Sequence, residues 1–290
     1  MSLHLKSPCK VNLLLNILGK RADGFHELET IMQPVNLFDG LTFESGGKGI
    51  QLTCDEPTLP LDSKNLVFRA AENFLVAAKI SQGVKIHLEK KIPLAAGLGG
   101  GSGNAATTLL GLNELFGSPL PMPALANMAA SLGSDVPFFL QNKPALATGR
   151  GEQVESLEHF PTLRGKAFLL IHPGFGISTA WAYQNLARFP EALNGKKSRA
   201  RELVSKLAAG DLPAAAGGFY NSLEAPALEK YPVLQLYQEF LRANGALATL
   251  MSGSGSTTFA IVKSLAAAES LAEKFKAKFG ANGWMATVAI

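Results

Sequence analysis

Apolar and polar positions alternate with two different periods along this chain, and the switches between them mark out its elements. Val84, Ile86 and Leu88 alternate with Lys85, His87 and Glu89, the period of a strand buried on one face. Leu66, Ala70, Phe74 and Ala77 or Ala78 recur at helical spacing behind the capping candidates Asp62-Ser63-Lys64-Asn65, so a helix is expected over Leu66 to Lys79. From Leu5 to Val35 two apolar stretches flank the polar, glycine-bounded Gly19 to Gly24, which reads as two strands at a sheet edge. Further strands are expected at Leu41 to Glu44 and Ile50 to Thr53. Asn104 to Phe116, rich in Ala and Leu, reads as a helix stopped by Gly117, and Pro123 to Leu132 as another with Gly133 in the C′ position.

The pattern loosens between residues 150 and 166, where a domain boundary is expected, giving units 1–160 and 161–290. A strand restarts at Ala167 to Ile171. Several helices follow, then strands at Ala246 to Met251 and Thr257 to Val262, a helix at Leu265 to Phe279 and a last strand around Met285 to Ile290. Strands separated by helices in both halves predict an α+β chain built as a two-domain α/β sandwich.

Composition narrows the function classes. Of 290 residues 47% are hydrophobic and 17% charged, and the net charge of +4 is spread without Lys/Arg runs longer than pairs such as Lys90-Lys91, so nucleic-acid binding is poorly supported. Cys9 and Cys54 are too few for a disulfide framework and too far apart for a metal-ligand pair, which points to a reducing compartment. Cys9 reads as a small buried residue. The apolar run Val11 to Leu18 is interrupted by Asn12 and Asn16, and no stretch reaches the roughly 18 to 20 apolar residues of a membrane span. The expectation is a cytoplasmic protein without membrane contact.

Candidate chemistry concentrates in Gly97-Leu98-Gly99-Gly100-Gly101-Ser102-Gly103, five glycines in seven residues between a strand and a helix. Missing Cβ atoms let backbone N–H groups converge, and the following helix adds its positive end, so the segment suits a phosphate. Ser102 can add a hydroxyl to a phosphate or a metal ion. The spacing does not fit G-x-G-x-x-G, no Lys-Ser or Lys-Thr follows as in a Walker loop, and around Ser102 the hydrolase pattern G-x-S-x-G fails at Asn104. His26-Glu27 does not extend into a zinc signature. A second small-residue loop, Ser252-Gly253-Ser254-Gly255-Ser256-Thr257, also follows a strand-like run; two such loops suggest one cleft gripped from two sides.

Three segments together, Pro8-Cys9-Lys10-Val11-Asn12, Pro93 to Ala106 and Ser252 to Thr257, resemble the GHMP kinase superfamily in order and spacing over the whole chain. Arg21 to Leu28, Gly133 to Phe139 and His172-Pro173-Gly174 narrow the resemblance to the branch acting on a cytidine diphosphate alcohol of the non-mevalonate isoprenoid route. The resemblance implies a ribosomal-protein-like N-terminal domain carrying the glycine loop, a C-terminal ferredoxin-like domain, and ATP with Mg²⁺ phosphorylating a tertiary hydroxyl on a methylerythritol moiety. No carboxylate is an evident metal ligand by spacing.

By the same resemblance Lys10 and Asp135 are the catalytic pair, Asp135 taking the proton of the attacking hydroxyl and Lys10 keeping it ionised. Read locally, Asp135 could instead cap the next helix and Lys10 be a solvated side chain. ATP is assigned to Asn65, Pro93, Leu94, Ala95, Ala96, Gly97, Leu98, Gly99, Gly100, Gly101, Ser102 and Gly103, although Asn65 is equally a helix cap. The cytidine substrate is assigned to Asn12, Phe25, His26 and Tyr183, with Phe25 and Tyr183 as stacking faces; Asn12 could also be a satisfied buried amide, Phe25 a core residue and His26 a turn residue. Two positions depart from the usual pattern: Phe25 stands where Tyr is commonest, and Gly103 where many relatives have serine. A homoserine- or mevalonate-type kinase and a catalytically inactive nucleotide-binding relative are the alternatives. The oligomeric state is not readable from the sequence.

Overall fold

The computed structural model describes residues 2–193 and 195–290. The chain forms two compact units, each drawn from three stretches. One comprises the chain up to Cys9, Leu37–Ile92 and Gly99–Asn142, and the other comprises Lys10–Asn36, Pro93–Leu98 and Lys143–Ile290.

In the first unit, strands β1 (Ser2–Lys20) and β2 (His26–Ser45) contribute their outer halves. They join β3 (Ile50–Cys54), helix α1 (Leu66–Ala77), β4 (Val84–Glu89), α2 (Gly100–Leu115) and α3 (Met122–Leu132). β4 lies between β2 and β3, antiparallel to the first with Gly40 opposite Glu89, and parallel to the second with Ile50 opposite Val84. The expected strand Leu41 to Glu44 is the end of the single long β2. Helix α2 presses so closely on this sheet that a Cβ at Gly111 would come within 2.6 Å of the Phe43 ring.

Two local expectations change. Helix α2 begins at Gly100, four residues before Asn104, although each glycine costs a helix about 1 kcal/mol relative to alanine. Close packing overrides propensity there: a Cβ at Gly100 would meet Ile92 at 3.0 Å, and one at Gly103 the Pro8 carbonyl at 2.5 Å. Gly133 does follow α3 directly, but its φ of 172° is extended rather than left-handed, so the position does not need glycine.

The second unit adds β5 (Ala145–Thr148), β6 (Gln153–Ser156), β7 (Ala167–His172), α4 (Thr179–Leu186), α5 (Arg199–Ala208), α6 (Leu212–Ala216), β8 (Tyr220–Asn221), α7 (Glu224–Lys230), α8 (Pro232–Ala243), β9 (Ala248–Met251), β10 (Thr258–Val262), α9 (Leu265–Phe279) and β11 (Trp284–Ala289). Here β1 pairs in parallel with β8, and β2 in antiparallel with β5. With β8 on its far side, β1 is not an edge, and β2 is likewise flanked by β1 and β5. The turn at residues 19–24 made the pair look peripheral, but Ser7 to Leu15 of β1 are almost continuously buried, as in a strand covered on both faces.

The remaining four strands form an antiparallel sheet in the order β11-β7-β10-β9. Numbered within that sheet they read 4-1-3-2, with helices between the first and second and between the third and fourth, the ferredoxin-like arrangement. Its helical cover is fixed by Tyr237 and Phe240 of α8 against Phe275 and Phe279 of α9, with Tyr237 and Phe275 centroids 4.7 Å apart and nearly perpendicular.

Candidate active site

In the second unit, Lys10 lies on β1 with only 2% of its surface exposed. A buried ammonium needs partners, and Nζ donates to Asn12 Oδ1 at 2.6 Å and to the Gly97 carbonyl at 3.1 Å. Asn12, two residues along the strand and so on the same face, donates through Nδ2 to Thr30 Oγ1, which in turn donates to the Leu14 carbonyl. Asn12 is therefore a satisfied buried amide that holds Lys10 in place, with one amide hydrogen left for a further acceptor.

The Gly97 carbonyl also accepts from Ser252 Oγ at 3.0 Å. Around it Thr257 N–H donates to the Ala96 carbonyl and Lys10 N–H to the Leu98 carbonyl, so Pro93–Leu98 is fastened to β1 and to the loop Ser252–Thr257. The two glycine-serine segments singled out in the sequence thus meet. Gly97 has a φ of 77°, and a Cβ there would fall 2.1 Å from the Ser252 carbonyl, which no side chain could tolerate. Asn221, unremarkable in the sequence, donates to both the Met251 and the Gly253 carbonyls and shapes the second loop from below. Only tertiary structure reveals it.

Along the glycine segment, Ala95, Gly97 and Gly99 have left-handed φ values of 51°, 77° and 70°, and the residues between them do not. Alternating φ of this kind turns successive N–H groups toward one concavity. Among the described residues the six N–H groups from Gly97 to Ser102 donate to no group of the chain. The last three open α2, where the helix dipole adds positive potential.

In the first unit, Asn65 caps α1: Oδ1 accepts from Val67 N–H at 2.9 Å while Nδ2 donates to the Pro60 carbonyl. Asp135 follows α3 and is half-buried. It does not cap the next helical turn, Pro137–Leu140, whose cap position is Val136 without a side-chain hydrogen bond.

Phe25, His26 and Tyr183, to which the substrate was assigned, all lie in the second unit. Phe25 is 52% exposed on the turn before β2, so it is not a core residue. His26 and Tyr183 bring their ring centroids to 5.0 Å. Partial burial, and secondarily the charge of Lys20, push the His26 imidazole below its ordinary pKa and keep it neutral near pH 7. Arg150, which no sequence pattern singled out, lies 4.5 Å from the Phe25 ring centroid in cation–π contact. Among the described residues no three His, Cys, Asp or Glu side chains are grouped to hold a metal, and no helix is long and apolar enough to cross a membrane.

Comparison with known proteins agrees with this architecture. Residues 65–143 match the GHMP kinases N terminal domain and residues 199–281 the GHMP kinases C terminal domain. A curated 4-diphosphocytidyl-2-C-methyl-D-erythritol kinase of Synechococcus sp. (strain JA-2-3B'a(2-13)) is 42% identical over 277 residues, covering 93% of this chain and 88% of the relative. The crystal structure of a 4-(cytidine 5'-diphospho)-2C-methyl-D-erythritol kinase superposes with a TM-score of 0.82 at 34% identity, over 99% of this chain and 100% of that one. A homoserine kinase from Cytophaga hutchinsonii ATCC 33406 shares the fold, with a TM-score of 0.78 at 21% identity over 100% and 95% of the two chains. Two kinase domains in register, and a close relative matched nearly end to end, make this chain a member of the GHMP kinase family, in its 4-diphosphocytidyl-2-C-methyl-D-erythritol kinase branch.

Proposed function

We propose that this protein transfers the γ-phosphoryl of ATP to the tertiary 2-hydroxyl of 4-diphosphocytidyl-2-C-methyl-D-erythritol. The observation that carries the reading is the glycine segment: six consecutive unpartnered N–H donors, and within them a glycine the fold does not require. Gly97 and Gly99 need left-handed φ, and Gly100 and Gly103 are pressed by neighbours, but a Cβ at Gly101 would meet nothing nearer than Leu66 at 3.8 Å. Gly101 is exposed, in helical conformation, and its lack of a side chain serves an approaching ligand. A phosphate chain is the ligand that row of donors suits.

In the transfer, Asp135 accepts the proton of the substrate hydroxyl as its oxygen bonds to the γ-phosphorus. The bond from that phosphorus to the β,γ-bridging oxygen breaks, and ADP leaves. Lys10, held by Asn12 and the Gly97 carbonyl, supplies positive charge to the transferring group. Phe25 and Tyr183 stack on the cytosine, neutral His26 reads its edge, and Asn12 uses its remaining N–H on the substrate. Magnesium requires few protein ligands when phosphate oxygens supply most of its shell, and the Ser102 hydroxyl at the start of α2 is the side chain that would reach it. When bound, the ion neutralises charge on the phosphates.

A coupled ADP-release assay with the cytidine substrate, homoserine and mevalonate as acceptors tests the reading. Turnover is expected with the cytidine substrate alone and lost in Asp135→Asn, with ATP binding nearly unchanged in that variant. Turnover confined to homoserine or mevalonate would overturn the substrate, and an active Asp135→Asn the base.

A further inference from the structure

The end of β4 and the start of α2 are joined by a buried polar knot to which no role has yet been attached. Asp39, on β2, is fully buried, and its carboxylate accepts four hydrogen bonds. Oδ1 takes the N–H groups of Lys91 at 2.8 Å and Ile92 at 2.9 Å; Oδ2 takes Lys90 Nζ and, at 2.9 Å, Asn104 Nδ2. Lys90 Nζ, itself 6% exposed, also donates to Asn104 Oδ1 at 3.2 Å, and Asn104 Nδ2 reaches Ser7 Oγ at 3.0 Å. All these residues belong to the first unit.

Ile92 immediately precedes the segment Pro93–Gly99, and Asn104 lies in the second turn of the helix that follows it. One carboxylate therefore ties the entry of the glycine segment to its exit. A glycine-rich stretch has more backbone freedom to lose than any other sequence, so its N–H groups converge only if its ends are fixed. We infer that Asp39 is a positioning residue for phosphoryl transfer, acting with Lys90 and Asn104 to hold both ends of the glycine segment in the register that presents its donors to the nucleotide. The inference rests on the phosphate role proposed for that segment.

Asp39→Asn is a sharp test because each carboxylate oxygen accepts two donors. Whichever way the new amide is turned, its NH₂ faces two donors, so the knot cannot close. Steady-state kinetics should show the KM for ATP rising about ten- to a hundredfold, as for a binding loop left partly unorganised, while the KM for the alcohol moves less than threefold. The swapped pair Asp39→Asn with Asn104→Asp removes the donor–donor contact between positions 39 and 104 and leaves Lys90 Nζ to turn from the new amide to the new carboxylate. The amide introduced on β2 then donates to the carboxylate introduced on α2, which also receives Lys90, and the Ser7 hydroxyl turns to donate. That double variant should regain an ATP KM within about threefold of the parent. A role confined to stability would lower the melting temperature and leave both KM values together; equal KM changes, or a swap that restores melting temperature but not the ATP KM, would overturn the inference. Amide hydrogen exchange without nucleotide separates the two layers. Faster exchange in Asp39→Asn at Lys10, Thr257 and Gly103, whose N–H groups donate to the Leu98, Ala96 and Gly99 carbonyls of the segment, supports the positioning role even if the parent fails to bind ATP, a failure that would count against the phosphate reading alone. Unchanged exchange overturns the positioning role.

Discussion

Replacing Gly101 by alanine sets the needs of the fold against those of the ligand at a single atom. In the unliganded protein the added methyl meets only Leu66, at 3.8 Å, an ordinary contact. Gly101 lies in α2 without a left-handed φ, so alanine adopts its backbone without strain. Glycine in a helix costs about 0.5–1 kcal/mol relative to alanine, and the substitution should stabilise the apoprotein by an amount of that order, near the lower end because the position is in the first turn. In a protein of this size that is a rise in melting temperature of roughly 1–4 °C. Nucleotide affinity should move the other way. A methyl group beside the donors keeps a phosphate oxygen from at least one N–H, and a hydrogen bond to a charged partner contributes about 1.5–3 kcal/mol, or roughly 10- to 150-fold in Kd. Differential scanning calorimetry and titration with a non-hydrolysable ATP analogue on the same preparation give both numbers. A variant that is more stable yet binds the analogue as tightly as the parent would refute the claim that phosphate comes against Gly101. A less stable apoprotein would refute the account of the space around it.

The same change two residues later should behave differently, because a Cβ at Gly103 would lie 2.5 Å from the Pro8 carbonyl and 3.1 Å from Ser7 Oγ. Backbone cannot rotate away, so Gly103→Ala is expected to lose about 1–3 kcal/mol to overpacking, read as a lowered denaturation midpoint, and Gly103→Ser should not rescue it. Phe25→Ala removes an exposed ring and should leave stability nearly unchanged while raising the KM for the cytidine substrate roughly 5- to 150-fold, the range of one lost base stack, with the ATP KM unmoved; equal effects on both substrates would remove the stacking role. Burial pushes both His26 and His172 below the ordinary imidazole value of 6.5, so the unfolded chain takes up protons first as pH falls. Stability should hold above pH 6.5 and decline below it, and urea titrations from about pH 7.5 to 5.5 should show a shallower decline in His172→Gln; an identical slope would exclude His172 as a contributor.

Much of this architecture was legible along the chain because it depends on local periodicity. The alternation over Val84 to Glu89, the amphipathic stretch of α1 and the bounds of α9 follow from side-chain spacing that each element imposes on its own residues. The glycine cluster was legible for a related reason, since few other uses explain so many glycines between a strand and a helix. The short strands β5, β6 and β8 were not, because segments of two to four residues carry too few positions for a period to register.

Which glycine serves which purpose was decided only by the fold. The sequence offered five equivalent residues, and the structure separates Gly97, barred from any side chain by the Ser252 carbonyl, from Gly103, barred by Pro8, and from Gly101, barred by nothing in the chain. The departure at Gly103 thereby acquires a cause in the close approach of β1. Likewise Lys10, Asn12 and Gly97 meet across 87 residues of sequence, and Asp39 meets Asn104 across 65, distances over which no periodicity extends. The sequence by itself determined the elements, the family and the residue types available for phosphate and cytidine. Tertiary structure alone decided which of those residues are held rigid and by what, because a hydrogen bond between distant positions leaves no local trace in the order of amino acids.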